Sequence, residues 1–244
     1  MSRHSSPSDA NPQRIVRKTT TELVADVLRD RILSGDIPPG EPLRQELFAE
    51  ELGVSRIPVR EALRLLSAEG LIDTIAHRGA FVTMLSRAEV QEFFELRLRL
   101  EPWILREAIP LLEETDLSQA SDVVARMDAA EPRQWGQLNW QLHEHLYRAA
   151  RRPAALGMIR ALHEKSERYF RFQIVNAPIR QQAHDEHMAL IALCREGRAD
   201  DAGAALERHI EQAAAQILAI VDRLLESSAA APGWSDAQAG VRSA

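Results

Sequence analysis

A mainly α fold is predicted, with an N-terminal winged helix-turn-helix domain followed by an antiparallel all-α helical bundle. Three observations carry it. Residues 19–70 hold short amphipathic helices joined by a glycine turn, two β-prone runs follow directly, and apolar residues recur at helical spacing from Ser86 onward. At 244 residues, 45% hydrophobic and 27% charged, the chain is long enough for two modest domains, each with its own core. Few aromatics and many alanines and leucines favour helix over sheet.

The first eighteen residues are polar and aperiodic and read as a disordered arm, 1–18. Arg14, Arg17 and Lys18 there serve either as phosphate contacts or as a solvated tail. The first helix spans Thr19 to Leu33 and stops at Ser34-Gly35-Asp36, before the turn Ile37-Pro38-Pro39-Gly40. A second runs from about Leu43 to Leu52, with Leu47, Phe48 and Leu52 facing inward. Gly53 ends it, and a presented helix starts two residues later. Ser55 is placed to cap that helix, and Pro58 sits in its first turn, where a missing N–H costs little. Arg56 and Arg60, four apart, share one face, while Val59, Ala62, Leu63 and Leu66 form the opposite apolar stripe. Leu71–Ile75 and Ala80–Met84, separated by Ala76-His77-Arg78-Gly79, form a hairpin, and a hairpin directly after a helix-turn-helix is a wing. These elements define a winged helix-turn-helix domain over 19–85.

Six helices joined by short connections follow over 86–225 and imply an antiparallel bundle, with a disordered tail over 226–244. Ser86 with Glu89 forms a capping box, and Val90, Phe93, Phe94, Leu96, Leu100 and Ile104 mark a helix ending near Pro110. Asp116 caps the next, to about Ala129. Further helices run from about Trp135 to Arg151, Pro153 to Val175, Ile179 to Arg195 and Ala199 to Leu225.

Charge and composition exclude several classes. The net charge is −6, and residues 1–85 hold eleven Arg and Lys against twelve Asp and Glu, so DNA must be met by a few arginines placed locally. An architectural nucleic-acid protein is disfavoured for the same reason. No apolar run reaches the roughly 18–20 residues of a membrane helix. With no signal-peptide pattern and a single cysteine, Cys194, the expected location is cytoplasmic. Cys194 has no basic neighbours and reads as a small buried apolar residue. Trp103, Trp135 and Trp140 read as core or cavity wall, and Trp234 falls in the tail.

The run Leu33-Ser34-Gly35-Asp36-Ile37-Pro38-Pro39-Gly40 with Gly53-Val54-Ser55-Arg56-Ile57-Pro58-Val59-Arg60-Glu61-Ala62-Leu63 resembles the DNA-binding signature of the GntR superfamily of bacterial transcription regulators. Phe94-Glu95-Leu96-Arg97, Leu100-Glu101-Pro102, Glu186-His187 and Arg208-His209-Ile210 resemble the FCD-type helical domain of its FadR-like branch. The resemblance implies a homodimer on a palindromic double-stranded operator, with a small carboxylate metabolite in the helical domain shifting DNA affinity. It implies contacts to base or phosphate from Arg56 and Arg60, with Ser55 near a phosphate and Arg78 and Gly79 at the wing tip. Glu46 stands where some members carry arginine, and Arg44 is the nearest substitute.

Five of the eight histidines fall between His143 and His187, with His209 close behind. Asn139 and His143 are four apart on one helix face. If the bundle brings His187 and His209 to them, one oxygen and three imidazoles converge, a set suited to zinc, with nickel, manganese or iron also accommodated. The resemblance places a metal at these same four positions. The alternative is a polar cavity of hydrogen-bonded histidines. His145 and His163 read as surface residues, and His184 as an outer partner of the centre. Arg97 lies among Phe93, Phe94, Leu96 and Leu100 and needs an anion, either an effector carboxylate or Glu101 four residues on. A metalloenzyme built on the histidine centre is the alternative function, but no acidic residue is placed as its general base.

Overall fold

The computed structural model describes residues 18–229; Arg14, Arg17 and Trp234 lie outside them. The fold is mainly helical with one two-stranded sheet, as the apolar periodicity predicts. Helix α1 (Thr20–Ser34) is entered through a capping box, in which Thr19 Oγ1 accepts from the Glu22 N–H and the Glu22 carboxylate accepts from the Thr19 N–H. Its Val24, Leu28 and Ile32 are buried, and α1 packs on α3 (Arg56–Ala68). Between them lies α2 (Gln45–Glu51), where Ala49 is buried and Leu47 is 57% exposed, contrary to expectation. Leu47 stands two positions from Ala49 and so points to the opposite side of a two-turn helix.

Strands β1 (Ile72–Ile75) and β2 (Gly79–Val82) pair antiparallel with Ile72 opposite Val82 and Ile75 opposite Gly79. The three-residue tip 76–78 holds His77 at φ 62°, and Gly79 directly after it lies at φ 99°, a left-handed conformation that glycine adopts without strain. The segment 40–43 lines the other edge of β2, with the Leu43 N–H donating to the Ala80 carbonyl (2.8 Å) and the Val82 N–H to the Glu41 carbonyl (3.0 Å). This pairing was not expected from the turn-forming Pro38-Pro39-Gly40.

The second part consists of α4 (Arg87–Ala108), α5 (Glu114–Asp128), α6 (Pro132–Tyr147), α7 (Pro153–Asn176), α8 (Arg180–Arg195) and α9 (Ala199–Ala229). Helix α4 packs on α7 and α9, α5 on α6 and α8, α6 on α7, and α8 on α9. Two caps differ from expectation. Ser86 Oγ accepts from the Glu89 N–H, but the Ser86 N–H donates to Tyr169 of α7 (3.2 Å) and not to Glu89, whose carboxylate takes the Tyr169 hydroxyl at 3.0 Å. Glu113, not Asp116, is the cap of α5; Asp116 accepts from the Glu113 N–H and is gripped by Arg148. At Ser86 the Tyr169 hydroxyl intervenes between the Ser86 N–H and the Glu89 carboxylate, whereas Asp116 uses one oxygen for the Glu113 N–H and the other for Arg148.

Trp135 and Trp140 are buried as expected, whereas Trp103 is 41% exposed on the outer side of α4. Cys194 is buried, which pushes its thiol up to about 12, in keeping with an inert apolar role. Gly35, at φ 90°, closes α1 against α9, and a Cβ there would lie 2.6 Å from Leu224. Among the described residues no helix is long and apolar enough to cross a membrane.

Candidate functional site

Helices α6, α8 and α9 bring His143, His187 and His209 together, with one ligand atom from each all within 4.8 Å of one another. Ring centroids lie 5.7 Å apart for His143 and His187, and 4.8 Å apart for His187 and His209. Asn139 Oδ1, His143 Nε2 and His187 Nε2 are buried and have no hydrogen-bond partner. An unsatisfied buried polar atom costs about 1–3 kcal/mol. One divalent ion would satisfy these acceptors together, since imidazole nitrogens and a side-chain oxygen are donors that zinc accepts. The triad can hold a metal ion. Burial pushes His143 and His187 well below the ordinary histidine value, so both imidazoles are neutral, the form that ligates.

Arg97 is 2% exposed on α4. Its Nε donates to Glu101 at 2.5 Å, its guanidinium lies over the rings of Phe94 (4.9 Å) and Phe170 (5.5 Å), and its Nη1 is buried without a partner. Glu101 thus satisfies Arg97 through Nε, and Nη1 is left without a partner. Burial pushes the Glu101 carboxyl up, but Arg97, with His163 beside it, outweighs this and holds it well below the usual carboxylate range. Arg97, Asn139 and His209 line one small cavity with Trp135, Phe170 and Gln173. Its volume is about 20 Å³, room for roughly one water. Gln173 donates to Gln216 (2.7 Å), and Gln182 donates to Glu186 (2.7 Å), so amides from α7, α8 and α9 form part of the wall.

Two histidines are placed differently from expectation. His163 is buried, with Nε2 3.1 Å from Glu101, because α7 turns that face toward α4. His184 faces outward to Asp128 at 2.9 Å and does not support the centre. His145 is half-buried. Tyr147, within hydrogen-bond reach of both Glu101 and His143, was not foreseen, although its i+4 spacing from His143 was available as a signal.

The other candidate surface is the outer face of α3. The Arg56 side chain is 68% exposed and pairs with Glu46 at 2.9 Å; Arg60 is 58% exposed with Glu61 at 3.3 Å. Ile57 is exposed beside them. Ser55 is the N-cap residue by backbone conformation, but its hydroxyl makes no capping bond, contrary to expectation, and its side chain is exposed. The first-turn N–H groups thus lack a side-chain acceptor from the cap. Pro58 is half-buried in that turn, and Arg44 is exposed at the start of α2. Arg78 lies over the Phe81 ring at 5.6 Å, at the wing tip beside Gly79.

Residues 20–82 match the model for bacterial regulatory proteins of the gntR family, and residues 92–212 match the FCD domain. The chain belongs to the GntR family. This GntR regulator is 27% identical to the Nta operon transcriptional regulator of Aminobacter aminovorans over 75% of its own length and 87% of that protein's. It is 34% identical to the gluconate operon transcriptional repressor of Bacillus subtilis, over 48% of each chain. Its fold resembles the crystal structure of a GntR-family regulator from Pseudomonas syringae pv. tomato, with a TM-score of 0.51 and 29% identity over 84% of this chain and 88% of that one. The GntR chain is a transcription regulator and not an enzyme.

Proposed function

We propose that this GntR protein is a cytoplasmic, ligand-responsive repressor. Residues 19–85 bind a palindromic operator, residues 86–225 form the ligand-binding and dimerisation domain of a homodimer, and a small carboxylate metabolite beside a divalent metal sets DNA affinity. One observation carries the sensing half. In the same buried region, Arg97 Nη1 lacks an anion while Asn139 Oδ1, His143 Nε2 and His187 Nε2 lack a cation. A carboxylate bridging the guanidinium and a metal held by Asn139, His143, His187 and His209 answers both needs. Zinc suits this donor set best, with nickel, manganese and iron as the alternatives. Repression is supported by relatives named as repressors.

For the DNA half, Arg60 and Arg56 read guanine edges in the major groove, and the uncapped start of α3 with Ser55 receives a phosphate. Pro58 sets the start of that helix, while Arg44, Arg78 and Gly79 track the backbone. Replacing Arg97 with alanine is expected to leave operator binding in place and to remove most of the response to the carboxylate. A thermal-shift screen of small carboxylates on zinc-loaded protein supplies the ligand. Operator titrations with and without it then decide, and equal loss of both activities counts against the pocket.

In this reading helix α7 couples the two halves. Phe170 and Gln173 line the cavity, and Arg171 between them donates to the Glu69 carbonyl (2.9 Å) and carboxylate (3.2 Å). Glu69 is the C-cap of α3 and also receives a bidentate bond from Arg29 (2.7 and 2.8 Å). A shift of α7 on ligand binding therefore pulls on the end of the recognition helix, where a cation favours the exposed carbonyls. In Arg171→Ala the ratio of operator affinities without and with ligand should collapse toward one, from a coupling of about 1–3 kcal/mol. An unaltered ratio in fluorescence-anisotropy titrations would reject this route.

A further inference from the structure

Two hydrogen-bond chains, each ending on a carboxylate, support the candidate centre from behind. The longer one starts at Glu101 of α4, which is buried and surrounded by donors. Oε1 accepts from Arg97 Nε (2.5 Å) and faces His163 Nε2 (3.1 Å), and Oε2 accepts from the Tyr147 hydroxyl (2.8 Å). A carboxylate paired with a guanidinium can only accept. The single hydroxyl proton of Tyr147 is therefore committed to Glu101, and toward His143 the same oxygen can only accept. His143 Nδ1 lies 3.0 Å from it. That nitrogen must carry the imidazole proton, which leaves the lone pair on Nε2, the atom that is buried without a partner. The shorter chain treats His209 alike, because Glu186 Oε2 accepts from His209 Nδ1 at 2.6 Å.

We infer that Tyr147, oriented by Glu101, is a positioning residue that locks His143 in the Nδ1–H tautomer with Nε2 turned toward a divalent metal. The inference rests on the metal reading above. A hydroxyl between carboxylate and imidazole has a particular effect here. It transmits the acceptor to His143 while leaving the Glu101 charge next to Arg97, so one carboxylate orients both the anion-receiving guanidinium and a metal ligand. Without the hydroxyl, the His143 proton is either left buried with no acceptor or moves to Nε2, where it blocks the ligating lone pair. Either result weakens the site.

The test uses the full chain, the Tyr147→Phe variant and Zn²⁺ as the probe. Competition against a chromophoric chelator should show zinc affinity about 10- to 100-fold weaker in the variant. Two-bond ¹H–¹⁵N spectra of zinc-free, ¹⁵N-histidine-labelled protein should show His143 as Nδ1–H in the wild type and shifted toward Nε2–H in the variant. A merely structural role for the hydroxyl would not move that tautomer. Undiminished zinc affinity in the variant overturns the positioning role, as does an Nε2–H His143 in zinc-free wild type, which needs no variant to fold. Failure of the wild type to bind zinc removes the metal reading instead, and this inference with it.

Discussion

Arg60→Ala is expected to abolish sequence-specific operator binding and to leave the fold intact. The side chain is 58% exposed, and the ion pair the structure gives it is with the neighbouring Glu61 at 3.3 Å. Exposed pairs of this kind contribute about 0–1 kcal/mol. The opposite face of α3, with Val59, Ala62, Leu63 and Leu66 buried, is untouched, so thermal unfolding should barely change. A bidentate arginine–guanine contact is worth about 1–3 kcal/mol of discrimination, and a homodimer loses it in both half-sites. The specific affinity should then fall on the order of 10²- to 10⁴-fold at fixed salt. Arg56 is a less clean probe, because its pair with Glu46 must break before it reaches DNA. Gel shifts on an operator selected from random duplexes measure the effect. Unchanged affinity would remove α3 from its assigned role.

The second large effect concerns the metal. Protein purified without chelator should carry close to one divalent ion per chain, and added zinc should raise the unfolding temperature of the wild type. The gain follows the ratio of free zinc to Kd and reaches about 4 kcal/mol at a thousandfold excess. His187→Ala should lose both the bound ion and the stabilisation, since it deletes one of the three nitrogens that face one another within 4.8 Å. Without zinc the two proteins should differ far less, because His187 Nε2 has no partner to lose. Elemental analysis and calorimetry decide this. Equal stabilisation of both proteins by zinc would place the ion elsewhere, and an ion absent even after incubation with excess would reject the site.

Both predictions start from features legible in the chain. The paired arginines of α3, the Asn139–His143 pair and the Arg97–Glu101 pair each follow a four-residue spacing. In a helix that spacing by itself puts two side chains on one face. The division into a winged helix-turn-helix and a helical bundle was equally legible, since apolar periodicity is a local property and changes from helical to alternating around Leu71.

What the chain alone did not determine is how each helix is rotated against its neighbours. One residue of offset turns a side chain by about 100°. Whether Glu101 meets Tyr147 and His163, whether Glu186 reaches His209, and whether Arg171 finds the end of α3 thus depend on contacts tens of residues apart. The same reason exposes Leu47 and Trp103, buries His163 and sends His184 outward to Asp128. Sequence by itself determined which helices exist, which faces are apolar and which residue types carry the chemistry, because these follow from spacing along one chain. Only the tertiary structure decided which carboxylate stands behind which histidine, because that is set by packing between helices whose sequence separation contains no record of their relative rotation.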